Sequence, residues 1–401
     1  MSSEKKSQLR PLIIDIGSQN FRLGWAGDDF PDIIAPSIYV DNSDYIFTSD
    51  VIDGLDDIFI TEKEAESHLF GHEALKYSNI LKIHEFKKEG NLNIFMKYFY
   101  HHYKQLEIPE EHHFKQPIII ITPFYMSELE KTKLQDIFFN VFDFPSLLFL
   151  SENQGVLAIL QKTSGVVINM GEVNTNITSF LHGFSNAMAR DTYPISGKEL
   201  TRYLLNLILT KKGSGELVYL DKIIAQEIKN KLSLCILDPD GEVKRIKDGF
   251  TKYNRTIDLP DGTSLDINSE RFLFVEPMFN PSLIHIDYMG LPEAVSKVIR
   301  FWDRENWEDL LPNIIIVGGS SLIPGLDKRL KFEISKYFSE KIREKINVIA
   351  VSGRENIGWI GSSVLYAQGK LKQEWIQNPS HESSVQDQER EELSQTENKE
   401  Q

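Results

Sequence analysis

Apolar and polar positions fall in blocks along this chain, and the blocks predict its elements. Leu12–Ile16 is a short apolar run containing the start of Asp15-Ile16-Gly17-Ser18. Phe21–Ala26 follows across a small polar turn, which predicts a β-hairpin. Pro117–Thr122 holds four consecutive isoleucines, Ile118 to Ile121, before Pro123, and an unbroken β-branched run predicts a central strand buried on both faces. Ser127–Asn140 has helical spacing, with Leu129, Leu134, Ile137 and Phe138 on one side. Leu147–Leu150 reads as another strand and Gln154–Lys162 as a helix.

The first hairpin has an echo. Val167-Ile168-Asn169-Met170-Gly171-Glu172 repeats the pattern of Ile13-Ile14-Asp15-Ile16-Gly17-Ser18: an apolar strand, Asp or Asn at the same offset, then a turn on Gly. Thr175–Leu181 supplies the returning strand. Self-similarity about 150 residues apart predicts two related domains. A further strand, Asn313–Val317, ends in Gly318-Gly319-Ser320-Ser321 and runs through Pro324-Gly325 into a predicted helix, Leu326–Ser339.

Composition narrows the class. The chain has 401 residues, 41% of them hydrophobic and 26% charged, which excludes wholesale disorder. At ~150 residues per domain it has room for two or three. Its 44 basic and 59 acidic residues leave a net charge of −15, which argues against non-specific binding to nucleic acid or acidic membranes. The acidity is local. Asp41–Glu66 has nine acids and one base, interleaved with apolar residues such as Tyr45, Phe47, Ile52 and Phe59, and reads as a folded or binding-competent insertion. Gln377–Gln401 has seven acids and two bases, almost no apolar residues, and is expected to be a disordered solubilising tail. The single cysteine, Cys235, cannot form an internal disulfide or a zinc cage, and fits a reducing compartment. Neither a signal peptide nor a membrane span is expected: Met1 to Arg10 is polar, and no apolar run nears the ~20 residues a span needs.

The chemistry follows from the repeated turns. Two glycine hairpins at strand ends can offer backbone N–H groups to a polyphosphate, since glycine permits both a left-handed backbone and close approach. A carboxylate at a strand tip can hold the water shell of Mg²⁺ on those phosphates. A strand–Gly-Gly–helix unit suits an adenosine. Either turn alone is equally an ordinary hairpin. The sequence contains no G-x-x-x-x-G-K-[ST] and no G-x-G-x-x-G. The rings of His101-His102 and His112-His113 diverge when adjacent, which favours packing or solvation over metal binding. No Ser/His/Asp constellation can be read from spacing.

Asp15-Ile16-Gly17-Ser18, Arg22-Leu23-Gly24-Trp25-Ala26-Gly27-Asp28-Asp29 and Pro36-Ser37 resemble the opening of actin and the actin-related proteins. Gly71-His72-Glu73-Ala74, Pro109-Glu110-Glu111-His112, Leu259-Pro260-Asp261-Gly262, Asn268-Ser269-Glu270-Arg271-Phe272, Glu276-Pro277-Met278-Phe279-Asn280-Pro281-Ser282, Gly318-Gly319-Ser320-Ser321 and Trp359-Ile360-Gly361-Ser362 follow in order. The likeness spans residues 11–376 and marks a divergent actin-related protein. It implies an α/β, actin-like ATPase fold: two related ribonuclease H-like domains around a nucleotide cleft, holding ATP or ADP with Mg²⁺ or Ca²⁺.

The resemblance divides the chain into 10–36 with 71–160 and 357–376 as the first domain, and 37–70 as a small acidic insertion at the family's subunit-contact loop. It then gives 161–196 with 286–356 as the second domain, 197–285 as an insertion in it, and 377–401 as the tail. It implies phosphate contacts from Gly17, Ser18, Arg22 and Gly171. Asp15 lies behind the metal, acting through water, and Gln154 orients the attacking water. Lys229, Gly318, Gly319 and Ser320 fall at the adenosine. The partners implied are actin-like subunits or a multiprotein complex, with actin-binding proteins, no direct nucleic acid and no membrane. The compartment implied is the cytoplasm, with the nucleus as the other option. The apolar turn Phe279–Ile286 is consistent with packing across subunits or with a buried corner.

The departures lie at the second hairpin. The family reads Asp-Ser-Gly-Asp-Gly-Val-Thr-His where this chain reads Asn169-Met170-Gly171-Glu172-Val173-Asn174-Thr175-Asn176. Asn169 is a degraded catalytic position, an amide in place of the second metal-side carboxylate. One charge at ~5.5 Å in an effective dielectric of ~20 is worth about 3 kcal/mol. Met170 removes a hydroxyl, and Val173 replaces a Gly, predicting a turn of another shape. Asn176 replaces a His, Asn230 a Glu, Ile323 a Tyr and Glu355 a Lys. Three functions are weighed: an actin-related cytoskeletal or complex subunit with bound nucleotide and impaired hydrolysis, a competent ATPase that forms actin-like filaments, and a small-molecule kinase on the same fold. The kinase needs a base near the γ-phosphate, and the strand-end carboxylate Asp15 is assigned to the metal.

Overall fold

A computed structural model describes residues 9–41, 67–78, 81–212, 222–259, 262–371 and 375–381. The acidic insertion 41–66, beyond Asp41, and the tail after His381 lie outside the described residues. The chain divides into two compact units, Met1–Ile159 with Gly358–Gln401, and Leu160–Ile357.

The first unit is built on a six-stranded sheet. Its strands include β1 (Leu12–Ile16), β2 (Asn20–Trp25) and β3 (Ile33–Pro36). A separate two-stranded ribbon is formed by β4 (Tyr39–Asp41) and β5 (His68–Phe70). The large sheet continues with β6 (Ile118–Thr122), β7 (Ser146–Ser151) and a short strand, Ile376–Gln377, that pairs antiparallel with β7. The isoleucine run lies in the interior of this sheet, parallel to β1 on one side and β7 on the other. Alternation explains its composition. Ile118 and Ile120 face an aromatic cluster with Phe99 and Phe138, while Ile119 and Ile121 face Trp359 on the opposite side. Both faces are covered, so no polar position interrupts the strand.

Two expectations for this unit are corrected. The helix predicted over 127–140 is an α-helix only at Glu128–Asp136, opened by a Ser127/Glu130 capping box, and Ile137–Val141 continues it as a π-turn. The π-turn carries the buried Ile137, Phe138 and Phe139, whereas Leu129 is 65% exposed. The change of pitch after Asp136 rotates the apolar face away from Leu129. The tail also begins later than Gln377. Asn378 is buried and bonds the Pro145 and Phe144 carbonyls, so residues 376–381 belong to the folded unit.

The second unit holds a five-stranded sheet of β8 (Gly165–Met170), β9 (Thr175–Phe180), β10 (Arg190–Tyr193), β13 (Ile314–Val317) and β14 (Val348–Ile349). Between them in sequence, β11 (Arg255–Asp258) and β12 (Ser264–Ile267) form a separate hairpin. The sheet order is β10-β9-β8-β13-β14, and β3-β2-β1-β6-β7 in the first unit has the same sequence of antiparallel and parallel pairings. The echo between the hairpins is thus an echo of whole sheets. Residues 197–285 do not have a core of their own. Leu200, Leu204, Leu265 and Phe274 share one cluster with Val166, Ile168 and Ile314.

Candidate functional site

The two glycine hairpins that echo each other in sequence lie one in each unit, and they have one frame. The last paired residues are Ile16 and Phe21 in the first, Met170 and Thr175 in the second, leaving Gly17-Ser18-Gln19-Asn20 and Gly171-Glu172-Val173-Asn174 as the turns. Gly17 and Gly171 do not adopt the left-handed backbone expected of them. Their requirement is close approach. A Cβ on Gly17 would stand 2.3 Å from the Asn20 carbonyl oxygen, and one on Gly171 would stand 3.0 Å from that of Asn174. Val173 also stays out of the left-handed region, so its β-branch does not force the second turn away from the geometry of the first.

In the first unit, Ser37 fixes the turn by donating its N–H to the Gln19 carbonyl and its hydroxyl to the Gly17 carbonyl. Among the described residues, no acceptor is bonded to the backbone N–H of Ser18 or Gln19. Two adjacent N–H donors on a fixed turn make an anion nest. Asp15 and Arg22 face each other on the ladder, and Arg22 Nη1 donates to Asp15 Oδ2 at 2.8 Å. Lys87, on the short helix Phe86–Glu89, was not singled out in the sequence. Its Nζ donates to the Ile16 carbonyl at 2.7 Å, immediately before Gly17. The residue as a whole is exposed, yet its ammonium end is crowded by protein, and this lowers its pKa. The carboxylates of Asp15, Glu152 and Glu130 act in the opposite sense. Gln154 is exposed in the first turn of helix Glu152–Ile159.

In the second unit, the turn is clamped from behind. Gly197 N and Ser320 Oγ donate to the Gly171 carbonyl, and Lys198 N and Ser196 Oγ donate to that of Glu172. Lys229 is buried against it, donating to the Gly197 carbonyl at 2.9 Å and lying 3.5 Å from Glu172 Oε2. Burial lowers the Lys229 pKa, and Glu172 partly opposes this. Gly318 has φ +87°, and a Cβ there would meet the Met170 carbonyl oxygen at 2.6 Å, whereas Gly319 has open space on that side. Gly171, Lys229, Gly318 and Ser320 therefore converge, with Glu172 as a member that sequence reasoning left out. Alternation along β8 sends Val166, Ile168 and Met170 into the core and turns Asn169 to the other face. Ile323 also packs into that core. Asn169 and Asn176 are ladder partners, and the buried Asn176 Oδ1 has no hydrogen-bond partner among the described residues.

The two implied ligands fare differently. A phosphate suits the Ser18–Gln19 nest, with Arg22 and Lys87 beside it. A divalent ion on a nucleotide is held largely by phosphates and water, with one or two uncompensated carboxylates behind it. At the first hairpin Asp15 is charge-compensated by Arg22, at the second position 169 is an amide, and the described residues include no group of three potential metal ligands. Neither hairpin, taken by itself, supplies an uncompensated carboxylate at this position to fit a tightly held ion. The histidine pairs are packing residues or peripheral: His102 is buried against Phe21 and Tyr98. Among the described residues no helix is long and apolar enough to cross a membrane.

Comparison with known proteins gives the chain's family. A family model described as Actin matches residues 6–384. A protein of Neurospora crassa described as an actin-like protein is 28% identical over 371 residues, covering 91% of this chain and 93% of the other.

Proposed function

The chain belongs to the actin family, and on that premise we propose that it is an actin-related subunit that binds ATP or ADP and hydrolyses it slowly or not at all. The observation that carries this reading is the unequal chemistry of two hairpins with one frame. The first keeps an acid and a base on its ladder, Asp15 and Arg22, and a nest at its turn. The second has the same ladder position filled by two neutral amides, Asn169 and Asn176. Backbone N–H groups suffice to hold phosphate. Activating a water needs a base or a strongly polarising group, and two amides supply neither. The nucleotide then serves as a structural cofactor, and the chain works as a member of an actin-like polymer or a larger complex, in the cytoplasm or the nucleus.

The test uses the purified full-length chain. Nucleotide released by denaturation and separated by chromatography should approach one ATP or ADP per chain, while steady-state phosphate release stays slow. A chain that copurifies without nucleotide and binds none on addition would overturn the reading. So would rapid phosphate release from the native chain. Ultracentrifugation with ATP across salt concentrations separates a filament former from a complex subunit.

A further inference from the structure

We propose that Lys87 is a phosphate-binding residue whose ammonium supplies the positive charge of a divalent ion at the first hairpin, so that this chain binds its nucleotide without requiring Mg²⁺. The inference rests on the nucleotide-binding reading above and goes beyond it in naming the cation.

Three observations converge. Lys87 Nζ is tethered to the Ile16 carbonyl, the last residue of β1, so its charge is held next to the turn whose Ser18 and Gln19 N–H groups form the nest. An ammonium has three donors, and the Ile16 carbonyl takes one of them. Asp15, the strand-end acid, is neutralised by Arg22 on the opposite strand, which removes much of its pull on a metal. The second hairpin offers Asn169, whose amide has no charge to attract a cation. A bound triphosphate needs its charge balanced. With Asp15 and Arg22 compensating each other, Lys87 is the cation at the first hairpin positioned to contribute to it. An arriving phosphate also favours the charged form of Lys87, working with Asp15, Glu152 and Glu130 against the effect of crowding.

The experiment measures equilibrium binding of etheno-ATP to the full-length chain in excess EDTA and in millimolar Mg²⁺. The two Kd values are expected to agree within about tenfold. Lys87→Gln should weaken binding in EDTA by about tenfold or more, with Lys87→Arg retaining most of the affinity and both variants melting like the native chain. Native binding weakened by more than about tenfold in EDTA overturns the role given to Lys87 while leaving the nucleotide reading in place. So does Lys87→Gln binding as tightly as the native chain in EDTA. If Lys87→Gln fails to fold, the native EDTA and Mg²⁺ pair and the Lys87→Arg variant still decide the matter. Absence of binding in both conditions overturns the nucleotide reading itself.

Discussion

Asn169 and Asn176 face each other across β8 and β9 one rung back from the last pair before the turn, the rung that Asp15 and Arg22 occupy across β1 and β2. One sheet position therefore carries a charged pair in one unit and a neutral pair in the other. Replacing Asn169 by Asp restores an anion to the second hairpin. Turnover of ATP by Asn169→Asp is expected to rise about tenfold to a hundredfold over the native chain, within the reach of one added charge. Phosphate-release assays on correctly folded protein check this, and equal or lower turnover counts against the impaired-site reading.

Gly17 and Gly319 should respond differently to the same methyl group. In Gly17→Ala the added carbon lands 2.3 Å from the Asn20 oxygen and must move the turn, whereas at Gly319 it meets nothing within 4 Å. Nucleotide affinity should fall more than about tenfold in Gly17→Ala and stay within about twofold in Gly319→Ala. Titration with a fluorescent nucleotide distinguishes them.

Lys229 and Glu172 form a buried pair behind the second turn. Lys229→Met leaves Glu172 without its cation and should destabilise the second unit by about 3–5 kcal/mol. Adding Glu172→Gln should recover part of the loss. Denaturant melts of the two variants and their combination give the coupling directly.

Acid sensitivity has two opposed sources. His102 is buried, and burial pushes its imidazole from 6.5 down to about 4. Above the unfolded value its contribution is fully present. As pH falls towards about 4 the unfolded chain takes up a proton that the folded chain refuses, and stability drops by about 3 kcal/mol. Glu276 runs the other way. Burial raises it to about 7, partly countered by Arg329, so its contribution is complete below 4.5 and is lost as pH rises through about 7. In His102→Gln the melting temperature at about pH 5, relative to that at about pH 7.5, should stand higher than it does in the native chain. An identical pH response in the two would dismiss the role given to His102.

Leu129 and Ile137 test the corrected helix. Leu129→Ser, at an exposed site, should change stability by no more than about 0.5 kcal/mol. Ile137→Ala, in the buried π-turn, should cost about 2–5 kcal/mol. Comparable losses from the two would restore the single continuous helix.

The same pair shows what the sequence could reveal. Ile118–Ile121 was legible because burial on both faces leaves an unbroken apolar run, and the hairpins were legible because an apolar strand, an Asp or Asn and a turn on Gly recur at matching offsets. Leu129 was misplaced because helical spacing assumes one pitch, and the chain changes pitch after Asp136. Lys87 and Glu172 left no local signal. Lys87 gains meaning from its bond to Ile16, and Glu172 from the buried Lys229, contacts made across many residues of chain. The turn glycines were found for a partly mistaken reason, since crowding by Asn20 and Asn174, rather than backbone handedness, demands them.

Trp359 sits under Ile13 and Ile119, completing one face of the first sheet from the far end of the chain. On the ribosome, the opening strands emerge first and must wait for residues 160–357 to be synthesised before that indole arrives. A nascent chain halted within the second unit would leave those isoleucines uncovered, so premature termination should yield aggregation rather than a soluble amino-terminal half.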